Sequence, residues 1–314
     1  IKYGEDKTLT SSPVVLSDLD GDSKYYMRVK AMSSTTNESK WVYYKDGSSF
    51  KTKAEQIFNN VEATDLFEDH VNLSWTPGAV VTHITYVNAN DAENIQTINL
   101  TDEEKAAGKY TLTGLKPTST YTITIYKNDV KRGQLQVTTP AAPPAASIKY
   151  TLASDVTVIS QTLIDEIAEQ AKAEAGNETN YSATICIPAG AKVALYGTND
   201  SDGGKTNVTI PDGMSVTFFG LAGGEAPTIT LDKNFDIAGS HAFIKFQNVK
   251  LEENGAGYFI NQSKACTVSE FSMEDCEVSN LKTSFFRLQG SDAKSIGKLT
   301  LKNSIFTNLC AGYG

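Results

Sequence analysis

Ile244-Lys-Phe246-Gln-Asn248, Phe271-Ser-Met273-Glu-Asp275 and Leu299-Thr-Leu301-Lys-Asn303 begin 27 and 28 residues apart, and Val216-Thr-Phe218-Phe-Gly220 lies another 28 upstream. Each segment places apolar residues at its first and third positions, which is the period-2 signature of a strand. The three closest copies carry Asn or Asp at the fifth position, and a further apolar residue follows at Leu251, Val278 and Phe306. A second register, Leu231, Phe259 and Phe286, is read as repeating in step at 28 and 27 residues. Strands separated by a constant length of chain stack in parallel, so a spacing of this size predicts a solenoid whose coils are β-strands, a parallel β-helix.

Working outward, the 314 residues suffice for two or three domains. The chain is 40% apolar and rich in Thr, Ser, Asn, Tyr and Val, as β-structure requires. Its net charge of −9, pI near 5.0 and lack of any Lys/Arg run argue against nucleic-acid binding, which needs clustered cations. No apolar run approaches the roughly 20 residues that span a bilayer. Residues 1–30 show no signal peptide or lipidated cysteine. All four cysteines, Cys186, Cys266, Cys276 and Cys310, fall in the C-terminal half without CxxC or zinc-finger spacing. Cys276 shares a repeat column with Val249 and Ser304, which marks it as a small packing residue.

The first 140 residues hold a different, twofold signature. Leu115-Lys-Pro117-Thr-Ser-Thr-Tyr121-Thr-Ile123-Thr-Ile125 is a turn running into a half-buried strand. Leu19-Asp-Gly-Asp-Ser-Lys-Tyr25-Tyr-Met27-Arg-Val29 repeats the six-residue step from Leu to Tyr. Val71-Asn-Leu73-Ser-Trp75-Thr-Pro77 alternates, with a Trp toward the core, and Leu135-Gln-Val137-Thr-Thr-Pro140 closes the block. These residues resemble the fibronectin type III module, a β-sandwich with a strand-B Trp, a Leu-x-Pro turn and a tyrosine corner. The match is complete over residues 56–140, whereas residues 1–53 match only the second half of a module, through Trp41-Val-Tyr-Tyr and Phe50-Lys-Thr52. Half a sandwich leaves an unpaired edge and an open core, which implies that its first strands lie outside residues 1–53.

Pro140-Ala-Ala-Pro-Pro-Ala-Ala146 reads as a short, stiff linker, with the solenoid domain at 148–314. Ser160–Ala175 carries Leu163, Ile164, Ile167, Ala168 and Ala171 on one face, with Ser160 as N-cap and Gly176 as C-terminal stop. An amphipathic helix just before the first strand would cap the exposed end of a solenoid. Helix, then Ile185-Cys-Ile187-Pro-Ala-Gly190, then repeating strands, is similar to the start of a pectate-lyase-type right-handed parallel β-helix. Residues 180–314 leave room for about five coils, and the terminal Ala311-Gly-Tyr-Gly314 lies inside a coil, so the expectation is a solenoid that continues further.

Residues with chemical potential mostly read as scaffold. Asn248, Asp275 and Asn303 form one column, which predicts a polar corner ladder; calcium needs several converging carboxylates, and this column offers one. The Gly- and Asp-rich loop Gly197–Gly204 lacks EF-hand spacing, and Asp18-Leu-Asp20-Gly-Asp22 falls at the turn before Tyr25. His70 and His83 lie in the sandwich and His241 in the solenoid; no adjacent Asp pair exists. Arg287 is the one arginine after Arg132. Taking Phe286 and Leu288 as inward, alternation turns Phe285 and Arg287 outward, with Tyr258 aligned on Phe285 one coil below. A Tyr258–Phe285 stack beside Arg287 would cradle a sugar ring and pair with a uronate carboxylate, unless a loop covers it. The visible residues build no complete active site, and no metal or cofactor is expected.

Fibronectin-like spacers, a Pro/Ala linker and a β-helix together resemble modular surface lipoproteins of Bacteroidetes encoded with polysaccharide-uptake systems. The resemblance implies a non-catalytic glycan-binding protein on the extracellular face of the outer membrane, held by a lipid anchor outside this chain. It further implies a polysaccharide or oligosaccharide ligand and outer-membrane glycan-transporter partners. Alternatives are a polysaccharide lyase whose catalytic coils lie past Gly314, or a surface adhesin.

Overall fold

The structure is a computed structural model that describes residues 13, 15, 16 and 19–309. Asp18, Cys310 and Ala311-Gly-Tyr-Gly314 lie outside the described residues, as do the readings placed on them. The chain forms two compact units, residues 1–62 with 69–139 and residues 63–68 with 140–314.

In the first unit, a four-stranded antiparallel sheet runs in the order Val130–Thr138, Thr120–Lys127, His83–Asn88, Gln96–Asn99. His70–Ser74 pairs with Lys109–Thr113 in a second sheet. The alternating apolar residues of the two sheets, among them Val71, Leu73, Trp75, Ile84, Ile123 and Ile125, are buried and form the sandwich core. Both tyrosine corners close as the sequence predicts. Tyr121 Oη accepts from the amide of Lys116 at 2.8 Å and Tyr25 Oη from that of Asp20 at 2.7 Å, each five residues back. Around Tyr25, Lys24–Tyr26 pairs with Ser49–Lys51, and Arg28–Val29 with Val42–Tyr43. Val29, Trp41, Val42 and Tyr43 of this segment are exposed.

The second unit is a parallel β-helix of three sheets. The first sheet stacks six strands from Ile148–Thr151 through Tyr181–Ile187, Met214–Gly220, Gly239–Gln247 and Cys266–Glu274 to Lys294–Lys302. The second also has six, from Val158–Ile159 to Ile305–Thr307, and the third has four: Val208–Ile210, Phe235–Ile237, Tyr258–Gln262 and Ser284–Leu288. The opening columns pair as read: Val216, Ile244, Phe271 and Leu299 lie in register, and so do Leu251, Val278 and Phe306. Identical columns let like side chains stack, as in the Phe218–Phe246 pair, whose ring centroids are 5.0 Å apart at 9°.

Two expectations need correction. Leu231 belongs to the second sheet, where it pairs with Leu195 and Glu253, whereas Phe259 and Phe286 lie in the third. The equal spacing was a coincidence of coil length. The capping helix also does not precede the first strand. Ile148–Thr151 and Val158–Ile159 come before it and already pair in parallel with the next coil, so Gln161–Ala175 replaces a third-sheet strand in the first coil. Ser160 Oγ accepts from the amide of Leu163 at 3.2 Å, and Gly176 ends the helix in the left-handed conformation. Ile164, Ile167, Ala168 and Ala171 are buried against the coil interior. The Pro/Ala segment is partly docked on this unit, since Pro144 O accepts from Thr184 Oγ1 at 3.0 Å.

Candidate functional site

The corner between the first and second sheets explains the polar column. Asn248, Asp275 and Asn303 all have positive φ, 53°, 54° and 49°, a conformation that Asn and Asp tolerate better than other L-residues. In these three coils one left-handed residue turns the chain from the first sheet to the second. Asn248 Nδ2 also donates to Gly220 O at 2.9 Å. In the upstream copy the place is taken by Gly220, where a β-carbon would come 1.9 Å from Asn248 O. A true side-chain ladder forms one corner later, where Asn308 Nδ2 donates to Asn280 Oδ1 at 2.8 Å. The column is scaffold.

The other flagged residues are likewise spoken for. Cys276 is buried, its thiol donating to Glu274 O at 3.3 Å, and burial pushes its pKa up to about 11. His241 is buried with its ring nitrogens 2.7 and 3.0 Å from the carbonyl oxygens of Met214 and Ala238. Asp20 pairs with Lys127 at 3.1 Å and Asp22 with Lys51 at 2.5 Å. The Gly197–Gly204 loop is a hairpin closed by its own side chains, with Asn199 Oδ1 accepting from Ser201 and Asp202 Oδ1 from the amide of Gly204. Lys205 at its base ion-pairs with the buried Asp232, which also accepts from Asn254 Nδ2 at 2.8 Å. Burial works to raise the Asp232 pKa, but the hydrogen bonds from Lys205 and Asn254 outweigh it and hold the carboxyl below its ordinary range. Among the described residues no three His, Cys, Asp or Glu side chains gather as a metal-binding group.

Tyr258, Phe285 and Arg287 divide differently from the sequence reading. Tyr258 pairs in register with Ser284, and Ile260 with Phe286. Phe285 is therefore not stacked on Tyr258. It packs into the aromatic core, 5.1 Å from Phe259 and 5.9 Å from Phe306 between ring centroids. Strict alternation fails here: Phe285 and Phe286 both pack against the core, as Phe259 and Ile260 do one coil below. Arg287 and Tyr258 do come together, with the guanidinium carbon 4.8 Å from the ring centroid. Both side chains are half-buried, and no carboxylate among the described residues pairs with Arg287.

Arg287 also stands at the end of a polar column that sequence reasoning missed. Asp236, Asn261 and Arg287 are aligned by register. Asp236 Oδ1 accepts from Asn207 Nδ2 at 3.0 Å and from Asn261 Nδ2 at 2.8 Å. Asn261 is buried, and its Oδ1 has no hydrogen-bond partner among the described residues. No motif marks this column, because its members share a position in the coil and not a residue type. A guanidinium laid on a phenol ring is held in one plane and keeps its N–H edge free, which suits two-point recognition of a carboxylate.

Comparison with known proteins returns no match among protein-family models and none among curated proteins. Among solved structures the chain is similar to the FN1–FN3 domains of chicken CNTN1, at 18% identity over 39% of this chain and 42% of that one, TM-score 0.22. It is also similar to a two-domain fibronectin type III segment of chicken tenascin, at 17% identity over 38% of this chain and 66% of that one, TM-score 0.25. The chain thus spans less than two thirds of either neighbour. The fibronectin type III reading of the first unit stands on its paired strands and two tyrosine corners.

Proposed function

We propose that this chain is a non-catalytic, cell-surface glycan-binding protein of a polysaccharide-utilisation system, with acidic, pectin-like polymers as its ligand class. The observation that supports this reading is the Arg287 guanidinium seated on Tyr258, with no carboxylate among the described residues to neutralise it. A uronate carboxylate fits that vacancy in charge and geometry. In this reading the pectate-lyase-like coils present the site, the sandwich modules act as spacers in a Bacteroidetes-type surface lipoprotein, and outer-membrane transporter components receive the bound glycan.

Titration calorimetry against polygalacturonate oligomers and neutral glucans tests it. Binding to the acidic oligomers alone, weakened at least tenfold by Arg287→Ala, is the expected result. Ultraviolet absorbance from unsaturated products would replace the binding reading by a lyase, and equal affinity of Arg287→Ala would remove the site.

A further inference from the structure

The outer face of the first sheet holds an aromatic side chain that the solenoid interior does not use. Phe219 follows the inward Phe218, lies in register with Cys186 and Gln247, and is outside the interior cluster, yet it is only 2% exposed. It lines a cavity of about 250 Å³ at the corner where the first sheet turns into the second. Leu66, Pro140 and Ala141 add apolar surface, and every lining residue belongs to the second unit. The loop Ala222–Gly224 forms a further wall. Gly223 is left-handed at φ 94°, and a β-carbon there would come 2.4 Å from the Phe67 ring, so this wall already rests on its neighbour and the cavity is preformed. The cavity spans the corners at Gly220, Asn248 and Asp275, and a further coil, that of Asn303, stacks beyond them.

The polar lining is rich in unused acceptors. Asn248 Nδ2 donates to Gly220 O at 2.9 Å, which fixes the amide and leaves its Oδ1 without a partner among the described residues. The side chain of Gln247 and the carboxylate of Asp275 likewise have none among them. Lys302, whose carbonyl accepts from the Asp275 amide at 3.1 Å, gives its ammonium to Glu274. Asp275 is therefore the single charge on the cavity wall, and no lining residue neutralises it. The turn does not call for that charge, since Asn serves the same corner at 248 and 303 and Gly at 220. Its backbone makes the corner and its carboxylate is left over.

Size and chemistry together select the occupant. The volume lies below the roughly 300–1,000 Å³ of sites for drug-sized ligands, so one side chain or a small molecule fits and a polymer segment does not. An acidic glycan would be repelled by Asp275. An ammonium on an alkyl stem carries three donors and no acceptor, and its methylenes pack on apolar surface.

We propose that this cavity binds an alkylammonium group of the kind a lysine side chain carries. The stem lies against Leu66 and Phe219, and the head is taken by Asp275 with Gln247 and Asn248. A lysine of a partner polypeptide and a free amine share this chemistry.

An NMR titration of the 314-residue chain, read at the amides of Gly220, Gly223 and Gly224, tests the proposal. The probes are Nα-acetyl-lysine methylamide, 1-aminopentane and the uncharged norleucine counterpart of the first. Both amines are expected to give saturable shifts, at least fivefold tighter than the norleucine derivative, and the tighter of the two identifies the source. Asp275→Asn keeps a residue that this corner already uses and is expected to weaken both amines at least fivefold with the rest of the spectrum unchanged. Ala222→Leu, which fills the cavity, is expected to abolish the shifts. Equal affinity for the norleucine derivative, undiminished affinity in Asp275→Asn, or no saturable shift with either amine would overturn the proposal.

Discussion

At the level of single residues, the solenoid is governed by backbone handedness and burial. Asp275 has φ of 54° and its side chain makes no hydrogen bond among the described residues, so its value there is its tolerance of the left-handed region. Asp275→Gly is expected to leave stability within about 0.5 kcal/mol, whereas Asp275→Ala costs about 1–2 kcal/mol in denaturant unfolding of the solenoid. Gly220→Ala is expected to cost more, because its β-carbon would meet the backbone of Asn248 and not a movable side chain. The thiols supply a pH signature. Burial raises Cys186, Cys266 and, most of all, Cys276, whose pKa moves from 9.0 to about 11. The unfolded thiol ionises first, so between these values the folded state holds more protons, and stability falls as pH rises. Denaturation midpoints at pH 8 and pH 10.5 are expected to show that fall, with a smaller one in Cys276→Ala.

Elements in this chain are specified locally and completed by their neighbours. The helix Gln161–Ala175 has its stop and start signals in sequence, Ser160 and Gly176, and both operate. Ser160→Ala is expected to cost about 1 kcal/mol through the lost bond to the Leu163 amide. Ile167→Ala, which opens a void between the helix and the first coil, is expected to cost about 2–4 kcal/mol, and comparing the two by thermal unfolding separates cap from packing. In the sandwich, Tyr121→Phe leaves the Lys116 amide without its partner, and a loss of about 1–3 kcal/mol is expected.

Across the whole molecule, the two units have separate hydrophobic cores, and this predicts two unfolding transitions. Trp75 anchors the first core and Phe246 the second, both almost fully buried. In calorimetry, Trp75→Ala is expected to lower one transition and Phe246→Ala the other, each by about 3–5 kcal/mol of stability. A single transition lowered by both substitutions would show the units to be one cooperative body.

The sequence by itself determined the β-helix, the tyrosine corners, the helix and its caps. In each of these a short-range period or a fixed offset is imposed by backbone geometry: 27 or 28 residues per coil, six from Leu to Tyr, 3.6 per helical turn. Only the tertiary structure decided how the candidate site is assembled. Alternation placed Phe285 outward, but two successive side chains, Phe285 and Phe286, both pack against the core. The register then sets Tyr258 beside Ser284 and brings Arg287 onto its ring. Asp236 and Asn261 join Arg287 for the same reason. They are neighbours through ladder hydrogen bonds between coils, and the unequal coil lengths in this sheet, 25 residues from Asp236 to Asn261 and 26 on to Arg287, hide that alignment from any single repeat spacing.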